Sequence, residues 1–232
     1  MATLLLVRHG RTTANASGLL AGRTPGVLLD DTGAEQAARA GARIAAVPIT
    51  RLVTSPQERC RQTAKAVADG QRGAGHTVTR ATTEKALAEC DYGDWQGQSI
   101  KELLKEPLWR TVQQQPSAVT FPGGESMVAM QHRAVAAVRR IDAAVTAEHG
   151  ADAVWVAVSH GDIIKSLLAD ALGMHLDLFQ RITVDPASVS VIRYAEDRPY
   201  VLASNTHDGD LSWLRKPPTT EGAVVGGGAG PA

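Results

Sequence analysis

Residues 4–15 read LLLVRHGRTTAN. The apolar run Leu4-Leu5-Leu6-Val7 is too short and too continuous for an amphipathic helix, and it predicts a buried strand over residues 3–8. The run stops at Arg8-His9-Gly10, and a glycine-rich loop follows through Gly18, Gly22, Pro25 and Gly26 to Asp31. An arginine and a histidine delivered together at the end of a buried strand stand where open α/β folds bind ligands.

Downstream the pattern alternates. Thr32-Gly33-Ala34-Glu35 reads as a capping box that opens an alanine-rich helix ending near Pro48. Residues 51–54 (RLVT) predict a second strand. Ser55-Pro56-Gln57-Glu58 reads as a second capping box with proline at the first helical position, so a helix starts immediately and runs to about Gly70. Residues 77–83 (TVTRATT) are β-branched and alternating, which marks a third strand. Ser99-Ile100-Lys101-Glu102 opens a further capped helix, and Glu125 to about His149 reads as one long helix. Residues 153–158 (AVWVAV) form a fourth buried strand, closed by Ser159-His160-Gly161-Asp162 and followed by a helix. Strands over 188–194 and 199–204 complete the chain.

Strands alternating with helices predict a three-layer α/β/α fold whose central sheet is mostly parallel, with an antiparallel edge from the last hairpin. The domain is expected over residues 1–214. From Arg215 onward the chain is Pro, Thr and Gly without apolar periodicity, and 215–232 is expected to be a disordered tail.

The 232 residues are 44% hydrophobic and 21% charged, enough for a sizeable core. Lys plus Arg (24) balances Asp plus Glu (24), so no global field draws the protein to nucleic acid or a membrane, and any anion site must be built locally. No apolar run approaches the ~18 residues of a transmembrane helix. The first residues lack the basic and apolar regions of a signal peptide, so a cytoplasmic protein is the expectation. Cys60 and Cys90 lack metal-ligand spacing, and a disulfide between them stays open. His76, His132, His149, His175 and His207 lie in polar contexts and read as surface residues.

Parallel strands bring their carboxyl ends to one rim. The first ends in Arg8-His9-Gly10; the second ends in Thr54-Ser55, with Arg59 one turn into the next helix. Glu89 follows the third, and Ser159-His160-Gly161 closes the fourth. Two arginines, two histidines and a glutamate at one rim suit phosphoryl transfer, where catalysis is mostly positioning and charge stabilisation. The arginines match phosphate geometry bidentately. One neutral histidine can attack phosphorus and the other can hydrogen-bond the transferring group. A protonated Glu89 can give its proton to the leaving oxygen. No carboxylate cluster is left to hold magnesium, so neither metal nor cofactor is expected.

Four ordered blocks resemble the histidine phosphatase superfamily, also called phosphoglycerate mutase-like. They are Arg8-His9-Gly10-Arg11-Thr12-Thr13-Ala14-Asn15; Ser55-Pro56 with Arg59 and Thr63-Ala64; Leu87-Ala88-Glu89 with Tyr92-Gly93 and Gln96-Gly97; and Val158-Ser159-His160-Gly161. The resemblance implies His9 as nucleophile, His160 as the second histidine and Glu89 as proton donor. It implies Arg8, Arg59, Asn15, Thr12, Gly10 and Gly161 around the phosphate, with the Gly10 carbonyl fixing the His9 tautomer. Arg23, Trp95 and Trp109 are candidates for touching the rest of the substrate.

The family divides into phosphatases and cofactor-dependent mutases. Cys90, Asp91 and Ile100 stand where the mutase pattern carries basic or amide groups, and Arg110 is the single arginine between residues 101 and 125. The expectation is therefore a metal-independent phosphatase acting on small phosphorylated metabolites, sugar phosphates or phosphorylated acids. A phosphoglycerate mutase is the alternative, a non-catalytic phosphometabolite-binding protein the second. A homo-oligomer, dimer or tetramer, stays open.

Overall fold

The structure is a computed structural model and describes residues 2–77 and 80–215. In chain order its elements are β1 (Thr3–Arg8), α1 (Thr13–Ala16), α2 (Asp31–Ile44), β2 (Arg51–Thr54), α3 (Glu58–Gly73), β3 (Thr82–Thr83), α4 (Ile100–Leu103), α5 (Pro107–Gln114), α6 (Met127–His149), β4 (Val154–Ser159), α7 (Gly161–Ala171), β5 (Val189–Tyr194) and β6 (Pro199–Thr206). Short 3-10 turns join several of them. The six strands form one sheet in the order β3-β2-β4-β1-β5-β6. β1, β2, β3 and β4 pair in parallel, and β5 runs antiparallel to both β1 and β6. This is the mostly parallel α/β sheet with an antiparallel edge that the alternation implied.

The apolar run of β1 is continuous because both faces of the sheet are covered. Leu4 and Leu6 pack with Trp155, Ala157 and the inner faces of α6 and α7. Leu5 and Val7 pack on the other side with Val156, Val158, Ile44, Ala64 and Val67. All four β1 side chains are fully buried, each stabilising by ~1.5–3 kcal/mol. On that second side α2 and α3 cross backbone to backbone. A Cβ on Gly41 would lie 2.4 Å from Ala66 O, and one on Gly70 2.5 Å from Gly41 O.

Register sets the site. Arg8 lies opposite Ser159, and Thr54 opposite Val158, so β1, β4 and β2 finish level at one rim.

Several expected boundaries move, and three helix starts do so because a tertiary partner claims the residue expected to open the helix. α2 opens earlier, on Asp30, whose Oδ1 accepts from Gly33 N at 2.7 Å. Thr32, the expected cap, instead accepts from Arg11 Nη2 at 2.9 Å. α3 opens at Glu58 without a side-chain cap, since Ser55 is turned toward His160. α6 opens at Met127 on Ser126, because Glu125 is held by two arginines. The third strand shrinks to Thr82–Thr83, which pairs only with the end of β2; Val78 and Thr79 lie outside the described residues. Cys60 and Cys90 are both free thiols and pack on opposite faces of the sheet, so no disulfide joins them. The expected tail beyond Arg215 lies outside the described residues. Among the described residues no helix is long and apolar enough to cross a membrane.

Candidate active site

His9 is fixed by the backbone on either side of it. Gly10 has no Cβ for a steric reason: one would sit 2.2 Å from Gly33 O, at the first turn of α2. Gly33 answers with the same constraint, since its Cβ would lie 1.9 Å from Arg11 O. Gly10 N donates to Thr63 Oγ1 at 3.1 Å, tying the turn to α3. On the far side Ala187 N donates to the carbonyls of Arg8 and His9, both at 3.1 Å, from a left-handed backbone with φ 59°. A non-glycine residue held there is strained, and the surrounding bonds maintain it.

The hydrogen bonds set the state of both imidazoles. His9 Nδ1–H donates to Gly10 O at 2.7 Å, which leaves Nε2 unprotonated to accept from Arg59 Nε at 3.2 Å. His160 Nδ1 accepts from Arg59 Nη2 at 3.2 Å. Its Nε2–H points at Gln57 Oε1 (3.0 Å) and Ser55 Oγ (2.7 Å), and the Ser55 hydroxyl donates to Gln57. The two rings stand edge to face, centroids 5.2 Å apart. Arg59 thus bridges both histidines, and its Nη2 also donates to Gly22 O at 2.7 Å.

Burial, then the Arg59 charge, hold both histidines well below the ordinary value of 6.5, so they are neutral. Glu89 moves the other way. Burial first, then the Asp162 carboxylate, push its carboxyl up to about 7. Its Oε1 accepts only from the adjacent Cys90 N, at 3.0 Å, and its Oε2 lies 3.8 Å from His160 Nδ1.

These groups border a cavity of about 220 Å³ lined by Arg8, His9, Thr12, Asn15, Arg59, Glu89 and Gly161. Arg8 Nη1 donates to Val184 O at 2.7 Å, while its Nε and the Nη1 of Arg59 are buried with no acceptor among the described residues. Buried donors without a partner are costly unless an acceptor completes them, and here an anion fits. α7 adds the positive end of its dipole, because His160 is its N-cap and Gly161 its first residue. Thr12 and Asn15 form a reciprocal cap on α1 through Asn15 Oδ1, which leaves the Asn15 amide hydrogens for a ligand. Among the described residues no group of three or more His, Cys, Asp or Glu is placed to hold a metal ion.

Nine of the ten sequence-derived site residues therefore converge: seven line the cavity, Gly10 lies beneath His9, and His160, fully buried, stands behind Arg59 and His9. Arg23 does not. Its guanidinium donates to Glu89 O, Asp91 and Glu125, and it lies behind the acid rather than in the cavity. Trp95, in the hydrophobic core, stacks on the partly buried Trp109 packed against that core, and neither lines the cavity. Conversely Tyr92, Asp162 and Lys165 line the cavity, with Tyr92 OH donating to Asp162 at 2.7 Å. Asp162 and Lys165 were available from the i, i+3 spacing after His160-Gly161, and Tyr92 from its place in the third block, three residues after Glu89.

A family model for the histidine phosphatase superfamily, branch 1, matches residues 4–207. The chain belongs to this superfamily. Among curated histidine phosphatase relatives, phosphoserine phosphatase 1 of Hydrogenobacter thermophilus is 29% identical over 88% of the chain and 92% of its own length. The probable phosphoglycerate mutase GpmB of Yersinia enterocolitica is 30% identical over 95% and 99%. In fold, a mycobacterial glucosyl-3-phosphoglycerate phosphatase superposes with a TM-score of 0.75 at 23% identity, covering 88% of this chain and 98% of that one. The sequence relatives thus include a protein named as a phosphatase and one named as a probable mutase, and the solved structure shares the fold.

Proposed function

We propose that this protein is a metal-independent phosphatase that hydrolyses small phosphomonoesters through a phosphohistidine on His9. The observation that carries the reading is the His9 imidazole: neutral, locked in one tautomer by Gly10, and flanked by two arginines with unused buried donors. A phosphomonoester entering the cavity offers oxygens to Arg8, Arg59 and Asn15 and displaces Arg59 Nε from His9 Nε2. That nitrogen then attacks phosphorus as the ester P–O bond breaks. Protonated Glu89 gives its proton to the departing oxygen. In the second half Glu89, now a carboxylate, takes a proton from water as the water oxygen attacks phosphorus and the P–N bond breaks. Inorganic phosphate leaves, and both side chains return to their starting states. His160, neutral with Nδ1 on Arg59, holds the guanidinium from behind the cavity.

The mutase reading draws support from the likeness to the probable mutase of Yersinia. Against it stand the surroundings of the cavity. Ile100 is apolar, and Arg23 is committed to Asp91 and Glu125. Arg110 is an exposed side chain of α5, bonded to Gln114. Among the described residues lining the cavity, Lys165 is the one cation beyond the two phosphate arginines, and it is bonded to Gln180. Water is the expected acceptor. A non-catalytic binding role is disfavoured because histidines, arginines and acid are all present around one cavity. The protein is expected to work in the cytoplasm.

Acid-quenching the enzyme during turnover of a 32P-labelled phosphomonoester tests the reading. Acid-labile, alkali-stable label on His9 supports it; label on His160, or none, overturns it. Incubation with 3-phosphoglycerate and catalytic 2,3-bisphosphoglycerate separates the alternatives. Rapid formation of 2-phosphoglycerate with negligible phosphate release would establish the mutase.

A further inference from the structure

The carboxyl group of Glu89 has little of its own to hold it. Its one hydrogen bond comes from the next residue's N–H, and it sits in a stretch between the 3-10 turns Lys85–Leu87 and Gly93–Trp95 with no regular ladder. Yet its backbone is tied more heavily than most loops. Arg133, from the second turn of α6, donates from Nη1 to Ala86 O (2.6 Å) and Ala88 O (2.8 Å), and from Nη2 to Glu89 O (3.1 Å). Arg23, from the loop after α1, donates from Nε to the same Glu89 O at 2.8 Å. Both guanidinium groups close on one carboxylate. Glu125 Oε1 accepts from Arg23 Nη2 (2.9 Å), Arg133 Nη2 (2.5 Å) and Asp91 N (2.9 Å), and Oε2 accepts from Arg133 Nε (3.0 Å).

We propose that Arg133, Arg23 and Glu125 form a clamp of positioning residues that fixes the backbone of Glu89, and through it the reach of the catalytic proton. The inference rests on Glu89 being the general acid. The two arginines are offset by Glu125 and by Asp91, 3.2 Å from Arg23, so the clamp adds little net charge beside the acid. It aims the carboxyl without supplying the field that tunes it; burial and Asp162 do that. Mispositioning a reacting group by ~1 Å costs about 10²-fold in rate, so the clamp's effect belongs to steps that need the proton.

The test is a double-mutant cycle in the full chain, read as the ratio of kcat/KM for glycerol phosphate to that for nitrophenyl phosphate, whose leaving group needs no proton. Arg133→Met is expected to lower this ratio by about 10²-fold, with Arg133→Lys recovering part of it. In a Glu89→Gln background the same substitution is expected to leave the ratio unchanged, because the proton it positions is gone. Equal losses on both substrates, or effects that add in the double variant, would overturn the clamp. Should Arg133→Met not fold, Arg23→Met removes a single bond to Glu89 O from a half-buried side chain, and must lower the ratio in the same sense. If Glu89→Gln itself leaves the ratio intact, the acid assignment falls and the clamp with it. If Glu89→Gln lowers it and the arginine variants do not, the clamp alone falls.

Discussion

Arg59 Nε donates to His9 Nε2 across 3.2 Å, so the nitrogen proposed to attack phosphorus is covered by a cation until a phosphate takes that cation away. The contact keeps the ring neutral and aligned while the cavity waits, and it ends when the substrate arrives. A lysine cannot repeat it, because one ammonium cannot bridge His9, His160 and Gly22 O together.

Arg59→Lys is therefore expected to lower kcat/KM by ~10²- to 10³-fold, the scale of losing a preorganised donor at a transition-state oxygen. Steady-state phosphate release checks this. A loss below tenfold would place the anion elsewhere.

Glu89 carries a pH signature. With its carboxyl at about 7, kcat/KM for an alkyl phosphate is expected to fall as pH rises through that value and the acid loses its proton. Glu89→Gln should abolish this limb and cost ~10²- to 10⁴-fold on the alkyl ester, and much less on nitrophenyl phosphate. A pH–rate profile of both enzymes on both substrates decides it.

The same group predicts stability. Its folded value lies above the ordinary 4.5, so its contribution is full below 4.5 and is lost as pH rises through about 7, where the fold must bury a charge. Above that pH Glu89→Gln is expected to be more stable than the parent, by ~1–3 kcal/mol. Thermal melts at pH 5 and pH 8.5 should show the gain only in the second; equal shifts at both would refute it.

Gly33→Ala tests the backbone contact beneath His9. Its Cβ would meet Arg11 O at 1.9 Å, and neither partner is a flexible side-chain end, so α2 or the His9 turn must retreat. A destabilisation of ~1–3 kcal/mol is expected in denaturant unfolding, with a fall in kcat.

Removing divalent ions should change nothing. Two guanidinium groups already supply positive charge at the cavity. Activity after exhaustive EDTA dialysis is expected to equal that before; a requirement restored by magnesium or zinc would sink the metal-independent mechanism.

Much of this was legible because strand ends and polar residues coincide. The runs 4–7 and 153–158 stop where their sheet cover stops, and Arg8-His9 and Ser159-His160 follow directly. What stayed hidden depends on partners far away in the chain. Ser55 looks like a helix cap until its hydroxyl is seen against His160 Nε2, and Thr32 until it is seen against Arg11. Arg23 sits in a loop that walls the cavity, so a ligand contact was a fair expectation. Only the position of Glu125, across the fold, turns it inward to the backbone of Glu89.

The pairing of β1 with β4 also governs how the protein is made. Thr3 pairs with Val154 and Arg8 with Ser159, so β1 leaves the ribosome well before the strand that covers its edge on that side. Its other neighbour, β5, is later still. At roughly 5–20 residues per second the interval is on the order of ten seconds. Throughout it the apolar run Leu4 to Val7 lacks both of its strand partners, and an apolar β-forming segment unpaired on both edges is the kind that invites association with other chains. A nascent chain thus carries β1 without either strand partner until β4 emerges, and a chain that stops short of β4 has neither a second histidine nor a partner for β1.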